Sequence, residues 1–101
     1  MIYVITRHPG ALQWLAQYLA KPYVHFTHLH DLAIIKSGDI VVGTLPINLI
    51  AKLNQAGVRY VHLHIDIPEH LRGQELTQSQ LVQLGASLIE YAVIRQSAFY
   101  Q

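Results

Sequence analysis

Cysteine is absent from this chain of 101 residues, which excludes a disulfide framework, a zinc–thiolate centre and a thiol nucleophile together. Charge is scarce as well: 13% of the residues are charged, 51% are hydrophobic, and the net charge is +1. A balance that small excludes a broadly basic coat for duplex nucleic acid, so any nucleotide ligand has to be met by a few local donors. No apolar run approaches the roughly eighteen residues of a membrane span, and Arg7 interrupts the apolar start too early for a signal peptide. A cytoplasmic protein is the expectation. Also missing are a Gly-x-Gly-x-x-Gly fingerprint, a Walker loop and a Gly-x-Ser-x-Gly elbow, along with internal repeats, linkers and low-complexity stretches.

What is present reads as one small domain, residues 1–101, long enough for a single thin core. Its apolar excess leaves more hydrophobic surface than so small a monomer covers alone, and a second copy is the simplest cover, so a homodimer is expected. Strand and helix signals alternate. Ile2 to Ile5 is a continuous apolar run of the kind found in strands buried on both faces. Leu12, Leu15, Ala16 and Leu19 follow at helical spacing, with Trp14 and Tyr18 on a neighbouring flank, Pro9 in the first turn and Lys21-Pro22 as the stop. Tyr23 to Thr27 reads as a second strand, His28 to Ile35 as a loop with a short helix or turn, and Lys36-Ser37-Gly38 as a turn. Asp39 to Gly43 is a third strand, rich in β-branched residues. Thr44 is the expected N-cap of a second helix that has Pro46 in its first turn and ends at Gly57. Arg59 to Ile67 reads as the fourth strand. Thr77 and Gln80 form a capping-box pattern. Beyond it, Leu81, Leu84, Gly85, Leu88, Tyr91 and Ala92 predict a long last helix, with a second apolar stripe on Val82, Ile89 and Val93. The order β-α-β-β-α-β-α predicts an α/β fold, a reduced Rossmann-like three-layer arrangement with a mainly parallel sheet of about four to five strands.

Ligands of open parallel sheets gather beyond the carboxyl ends of the strands, and three polar motifs fall there. The first is Thr6-Arg7-His8. Arg7 and a protonatable His8 stand at the positive end of the first helix, where a cation costs a few tenths to about 1 kcal/mol. An anion held by helix amides, guanidinium and imidazole removes that conflict, while Pro9 starts the helix and Gly10 lets another backbone or a ligand come close. The bland alternative leaves Arg7 in solvent and His8 capping the turn. The second motif, Gly43-Thr44-Leu45-Pro46, offers backbone amides and a hydroxyl to a phosphate, or else an ordinary N-cap. Asn48, one turn further, can reach the same place or simply be solvated. The third is Asp66 with the loop that runs to Glu75, long for a connection of this kind. In it Arg72 is a candidate phosphate clamp, and Glu75 or His70 a proton-exchanging group; Glu75 also suits the start of the last helix as a plain carboxylate. His62, His64 and Asp66 alternate along one strand and share a face, and His28-Leu29-His30-Asp31 forms a second cluster. An edge strand or subunit interface shows the same spacing, no helical metal signature accompanies it, and no metal is expected.

Taken together, Arg7-His8-Pro9-Gly10-Ala11 with Trp14, Gly38-Asp39, Gly43-Thr44-Leu45-Pro46, Asp66-Ile67-Pro68, Leu71-Arg72-Gly73 and Glu75-Leu76 resemble a small CRISPR-associated family. That family accompanies type III systems and is related in fold to the CRISPR-associated Rossmann-fold (CARF) ligand-binding domains. The likeness runs from residue 5 to about 91, and its specificity lies in the combination. It implies a CARF-like domain that binds cyclic oligoadenylate, cyclic tetra-adenylate first of all, and cleaves it as a ring nuclease without metal or cofactor. His62 and His64 stand outside the pattern. A two-fold homodimer would offer two Arg7, two His8 and two Thr44 to the ring of phosphates. On this reading Arg7, His8 and Thr44 are catalytic, with Arg7 and the amides after Gly43 on the phosphate and His8 moving the proton. Thr6, Pro9, Gly10, Gly43, Leu45, Asn48, Asp66, Arg72 and Glu75 complete the ligand-binding set, Arg72 as a clamp. Three other readings stay open: a protein that sequesters the messenger uncleaved, a metal-dependent phosphoesterase using His62, His64 and Asp66, and an oligomeric scaffold with no nucleotide ligand.

Overall fold

The computed structural model describes residues 1–29 and 32–100. Its strands and helices are β1 (Ile2–Ile5), α1 (Pro9–Tyr18), β2 (Val24–Phe26), β3 (Ile40–Gly43), α2 (Ile47–Gln55), β4 (Arg59–His64), α3 (Gln78–Gln83) and β5 (Ser87–Tyr91), with short 3-10 turns at Leu32–Ile34 and Glu69–Leu71. The sheet order is β2-β1-β3-β4-β5. β2, β1, β3 and β4 run parallel, and β5 pairs antiparallel with β4. This is the α/β, three-layer, mainly parallel architecture that the alternating signals predict, with five strands.

Alternation along the central strands divides the core between the two faces. Val4, Val42 and Leu63 point to one side and pack with Ala11, Trp14 and Leu15 of α1 and Leu81 of α3. Ile5, Val41 and Tyr60 point to the other and pack with Ile50 and Leu53 of α2, with Ile35 and with Val58. Because successive side chains in a strand face opposite ways, β1 and β3 have to be apolar on both sides, which is why Ile2 to Ile5 and Ile40 to Val42 are unbroken apolar runs. Val4, Val41 and Val42 are fully buried, and each contributes roughly 1.5–3 kcal/mol relative to exposure. From β1 the chain steps one way to β2, and from β3 it steps the other way to β4, with α1 and α2 on opposite faces. The point of reversal lies between β1 and β3, where open sheets of this order form their ligand crevice.

The last segment departs from the expected long helix. α3 stops at Gln83, Gly85 takes φ +72°, and the chain returns as β5. The stop is a complete Schellman motif: Ala86 N–H donates to Leu81 O at 3.0 Å and Gly85 N–H to Val82 O at 3.1 Å. Leu84, Leu88, Tyr91 and Ala92 therefore share no helical stripe. Val82 and Ile89, expected on a second stripe, sit exposed on different elements, and Val93 packs beside α2, its N–H donating to Asn54 Oδ1 at 2.7 Å. The same motif ends α2, where Val58 N–H reaches Leu53 O at 2.9 Å and Gly57 N–H reaches Asn54 O at 3.0 Å. Two smaller boundaries also move. β4 ends at His64, short of Ile67. Pro46, extended at φ −61° and ψ 147°, occupies the N-cap position of α2 without a side-chain cap, so Thr44 lies too early in the chain to cap it. The Thr77–Gln80 capping box is present as expected.

Candidate functional site

A hollow of about 300 Å³ opens at the carboxyl edge of the sheet, on the α1 side. Thr6 and His8 line it from the end of β1, Gly43 and Thr44 from the end of β3, and Gln74 from the loop before α3. Most of the remaining lining is aliphatic, with Leu15, Leu63, Leu81 and Leu76 among it. The first two polar motifs read from the sequence thus meet in one cavity at the point where the strand order reverses, and the loop of the third lines it through Ile67 and Gln74.

Local bonds hold the first rim in shape. His8 N–H donates to Thr6 Oγ1 at 3.1 Å, turning the chain sharply between β1 and α1. His8 occupies the N-cap position and Pro9 the first helical one, where its missing N–H costs nothing. Gly10 is buried because a backbone crosses it: a Cβ there would run into the Leu76 carbonyl and approach Thr77 C at 3.1 Å. Gly10 therefore seats the loop before α3 against α1, and it serves packing before it serves any ligand. That crossing brings Glu75 to His8, whose Nδ1–H donates to Glu75 Oε1 at 2.7 Å. Both side chains are about half exposed or more, so the pair adds little to stability. What it does is fix the imidazole plane and leave Nε2 for a ligand. Arg7 is exposed and has no ion-pair partner among the described residues. It flanks the hollow between Thr6 and His8 without lining it.

The second rim is braced from below by Tyr60, fully buried on β4. Its hydroxyl donates to Gly43 O at 2.8 Å and accepts from Leu45 N–H at 3.0 Å. It also lies 2.7 Å from His62 Nδ1. A hydroxyl has one proton, and Gly43 O takes it, so His62 Nδ1 must carry its own proton and donate. Leu45 N–H is consequently occupied and cannot serve a phosphate. Gly43 lacks a Cβ because one would meet Ile5 O at 2.6 Å. Burial raises the Tyr60 pKa, opposed by the Leu45 bond, while burial and then the neighbouring His64 charge lower that of His62.

The remaining sequence candidates lie around the hollow, not in it. Asn48 is exposed on the first turn of α2. Asp66 is exposed, 3.5 Å from His64 Nε2. Arg72 folds back on its own loop in a long 3.5 Å contact from Nε to Ile67 O. His70 is exposed, and its carbonyl accepts from Gln74 Nε2 at 3.2 Å. His62 and His64 alternate with Leu63, which lines the hollow, so they face the other side of the sheet. Among the described residues no three histidine or acidic side chains come close enough to share a metal ion. His30 and Asp31 of the second histidine cluster lie outside the described residues. Gly38 and Asp39 sit at the opposite edge of the sheet, where Asp39 Oδ2 accepts from Lys36 N–H at 2.8 Å and closes a turn with Gly38 at φ +92°. That bond, before all else, lowers the Asp39 pKa. Sequence reasoning missed Tyr60 and Gln74: the first reads as one more core aromatic, and the second as one more loop amide.

The fold and this edge define the class: an open α/β sheet with a hollow at its switch point, flanked by a guanidinium, an imidazole–carboxylate pair and a threonine hydroxyl. Residues 3–94 match the family model described as "Putative CRISPR-associated protein (Cas_VVA1548)", and the chain belongs to that CRISPR-associated family. No curated protein and no solved structure matches it.

Proposed function

We propose that this protein binds cyclic oligoadenylate at the β1–β3 edge and cleaves it as a metal-independent ring nuclease, ending the second-messenger signal of a type III CRISPR system. The observation that carries the proposal is the meeting of Thr6, His8, Gly43 and Thr44 in one hollow, with Glu75 bonded to His8 and Arg7 next to it in the chain. The nucleophile of such a reaction resides in the substrate. The ribose 2′-OH attacks the adjacent phosphorus in line, the P–O5′ bond breaks, and the products are a 2′,3′-cyclic phosphate and a 5′-OH. His8 Nε2 accepts the 2′-OH proton, Glu75 steadies the imidazolium that results, and the departing 5′-oxygen takes a proton from solvent water. Arg7 balances the charge gathered on the phosphorane, and the Thr44 hydroxyl donates to a phosphate oxygen. A second copy of the chain, related by a two-fold axis, gives the ring the same edge twice.

The test is turnover. With limiting protein and excess cyclic tetra-adenylate in EDTA, linear product resolved by mass accumulates well beyond one equivalent. His8→Ala lowers the rate by about 10²–10⁴-fold, the span of general acid–base contributions. Glu75→Gln, which keeps a hydrogen-bond acceptor but not the charge, loses less. Binding that saturates at stoichiometry without product would assign the protein to sequestration instead, and activity abolished by EDTA would refute the metal-free step.

A further inference from the structure

The hollow is the wrong place for a phosphate. The aliphatic part of its lining offers an anion no partners, and taking an unpaired charge out of water is prohibitive. Its volume, about 300 Å³, lies at the small end of ligand sites, room for one ring system and not for a nucleotide chain. The charged groups Arg7, His8 and Glu75 sit at its mouth. The division of labour follows from solvation alone: the backbone of the ligand stays outside on the rim, and a neutral flat ring goes in.

Gln74 then becomes the informative residue. Its Nε2 donates to His70 O at 3.2 Å, and a carbonyl oxygen can only accept, so the orientation of the amide is settled. Oε1 is left as an acceptor with no protein partner among the described residues, on an exposed residue at the rim of the hollow. An acceptor held there meets the exocyclic amine of a base, and repels the carbonyl that an oxo-base carries in its stead. We infer that the hollow is a base pocket for an amino-purine and that Gln74 Oε1 is its specificity-determining contact. This inference rests on the proposed nucleotide ligand and adds which part of that ligand enters the fold and which residue reads it.

Cyclic tetra-adenylate and cyclic tetra-inosinate differ at each base by that amine-for-oxo exchange and by the proton it places on N1. Binding of both to the wild-type protein and to Gln74→Leu separates the cases. The wild type is expected to prefer the adenylate by about 10- to 100-fold, the range of one good base contact. Gln74→Leu brings the two rings to within about threefold by weakening the adenylate alone. In parallel, ¹³C-methyl NMR should show ring-current shifts at Leu15, Leu63 and Leu81 when either ring binds, since the base lies against them. Equal wild-type affinity, an equal loss for both rings in the variant, or unmoved methyls with a bound ligand would overturn the base pocket while leaving nucleotide binding intact. Failure of the wild type to bind either ring would overturn the functional reading itself, and the pocket with it.

Discussion

At the scale of single residues, Tyr60 and His62 connect the interior of the sheet to its ligand edge. The Tyr60 hydroxyl ties together Gly43 O, Leu45 N–H and His62 Nδ1, so the rim after β3 is set by a side chain from β4. Burial, and next the His64 charge, lower the His62 pKa. In the unfolded chain an imidazole titrates near about 6.5. On acidification the unfolded state therefore takes up this proton first, and stability falls from about pH 6.5 down through the lowered native value. His62→Asn keeps a donor near Tyr60 and removes the titration. Melting temperatures followed from about pH 7.5 to about pH 5 should fall more steeply for the wild type than for the variant; parallel curves would show that His62 does not couple to folding. Arg7, His8, Gly43 and Thr44 were legible as candidates because each clashes with, or exceeds, what a stable helix start requires. Gln74 and Tyr60 were not, since nothing in local sequence tells which loop amide or core phenol a distant strand will place beneath a rim.

Among the elements, the lesson is in the glycines. The sequence shows Gly57 and Gly85 alike, each after a run of helical spacing, and both end their helices with the same pair of backbone bonds. Reading through Gly85 turns β5 into helix because Leu81, Leu84, Leu88, Tyr91 and Ala92 happen to fit a helical period as well as Leu88 and Ile89 fit a strand. Tertiary pairing decides between them: β5 covers β4 from Tyr60 to His64, and the bidentate bond of Arg59 to Glu90 fastens the pair at 2.7 and 2.9 Å. Gly85→Ala discriminates by sign. Inside a helix the substitution would stabilise by up to about 1 kcal/mol; at φ +72° it should destabilise by about 1–2 kcal/mol, read by denaturant midpoint. Gly10→Ala makes a second test of sign. Helix propensity again favours alanine, yet the Leu76 carbonyl occupies the space a Cβ needs, and a backbone cannot yield as a side-chain tip can. A loss of about 1–3 kcal/mol is expected. Because the same crossing delivers Glu75 to His8, the variant should also be less active than its stability alone explains. A neutral or stabilising result would mean that the loop before α3 does not rest on α1.

For the whole molecule, a chain with a net charge of +1 would, on the proposed reading, meet a polyanion through a few local groups. The reversal of strand order brings the ends of β1 and β3 together at one edge, where Thr6, His8, Gly43 and Thr44 meet beside Arg7. Three-layer packing follows from apolar runs that any reading of β1 and β3 detects, whereas the register that aligns Ile5 with Gly43 depends on contacts far apart in sequence. On the proposed reading, a two-fold pair of edges would present the same groups twice to a ring of phosphates. Ile47, which opens α2 three residues after Thr44, is 69% exposed. Glutamate at the start of a helix is favoured by the helix dipole by a few tenths of a kcal/mol, so Ile47→Glu should leave the fold of the single chain intact or slightly firmer. If the paired edge forms through this end of α2, sedimentation should show the wild type as a dimer and Ile47→Glu shifted towards monomer, with ligand affinity falling in proportion to the dimer lost. A variant that stays dimeric, or a monomer that binds the ring as tightly, would place the pairing surface elsewhere or make one edge sufficient.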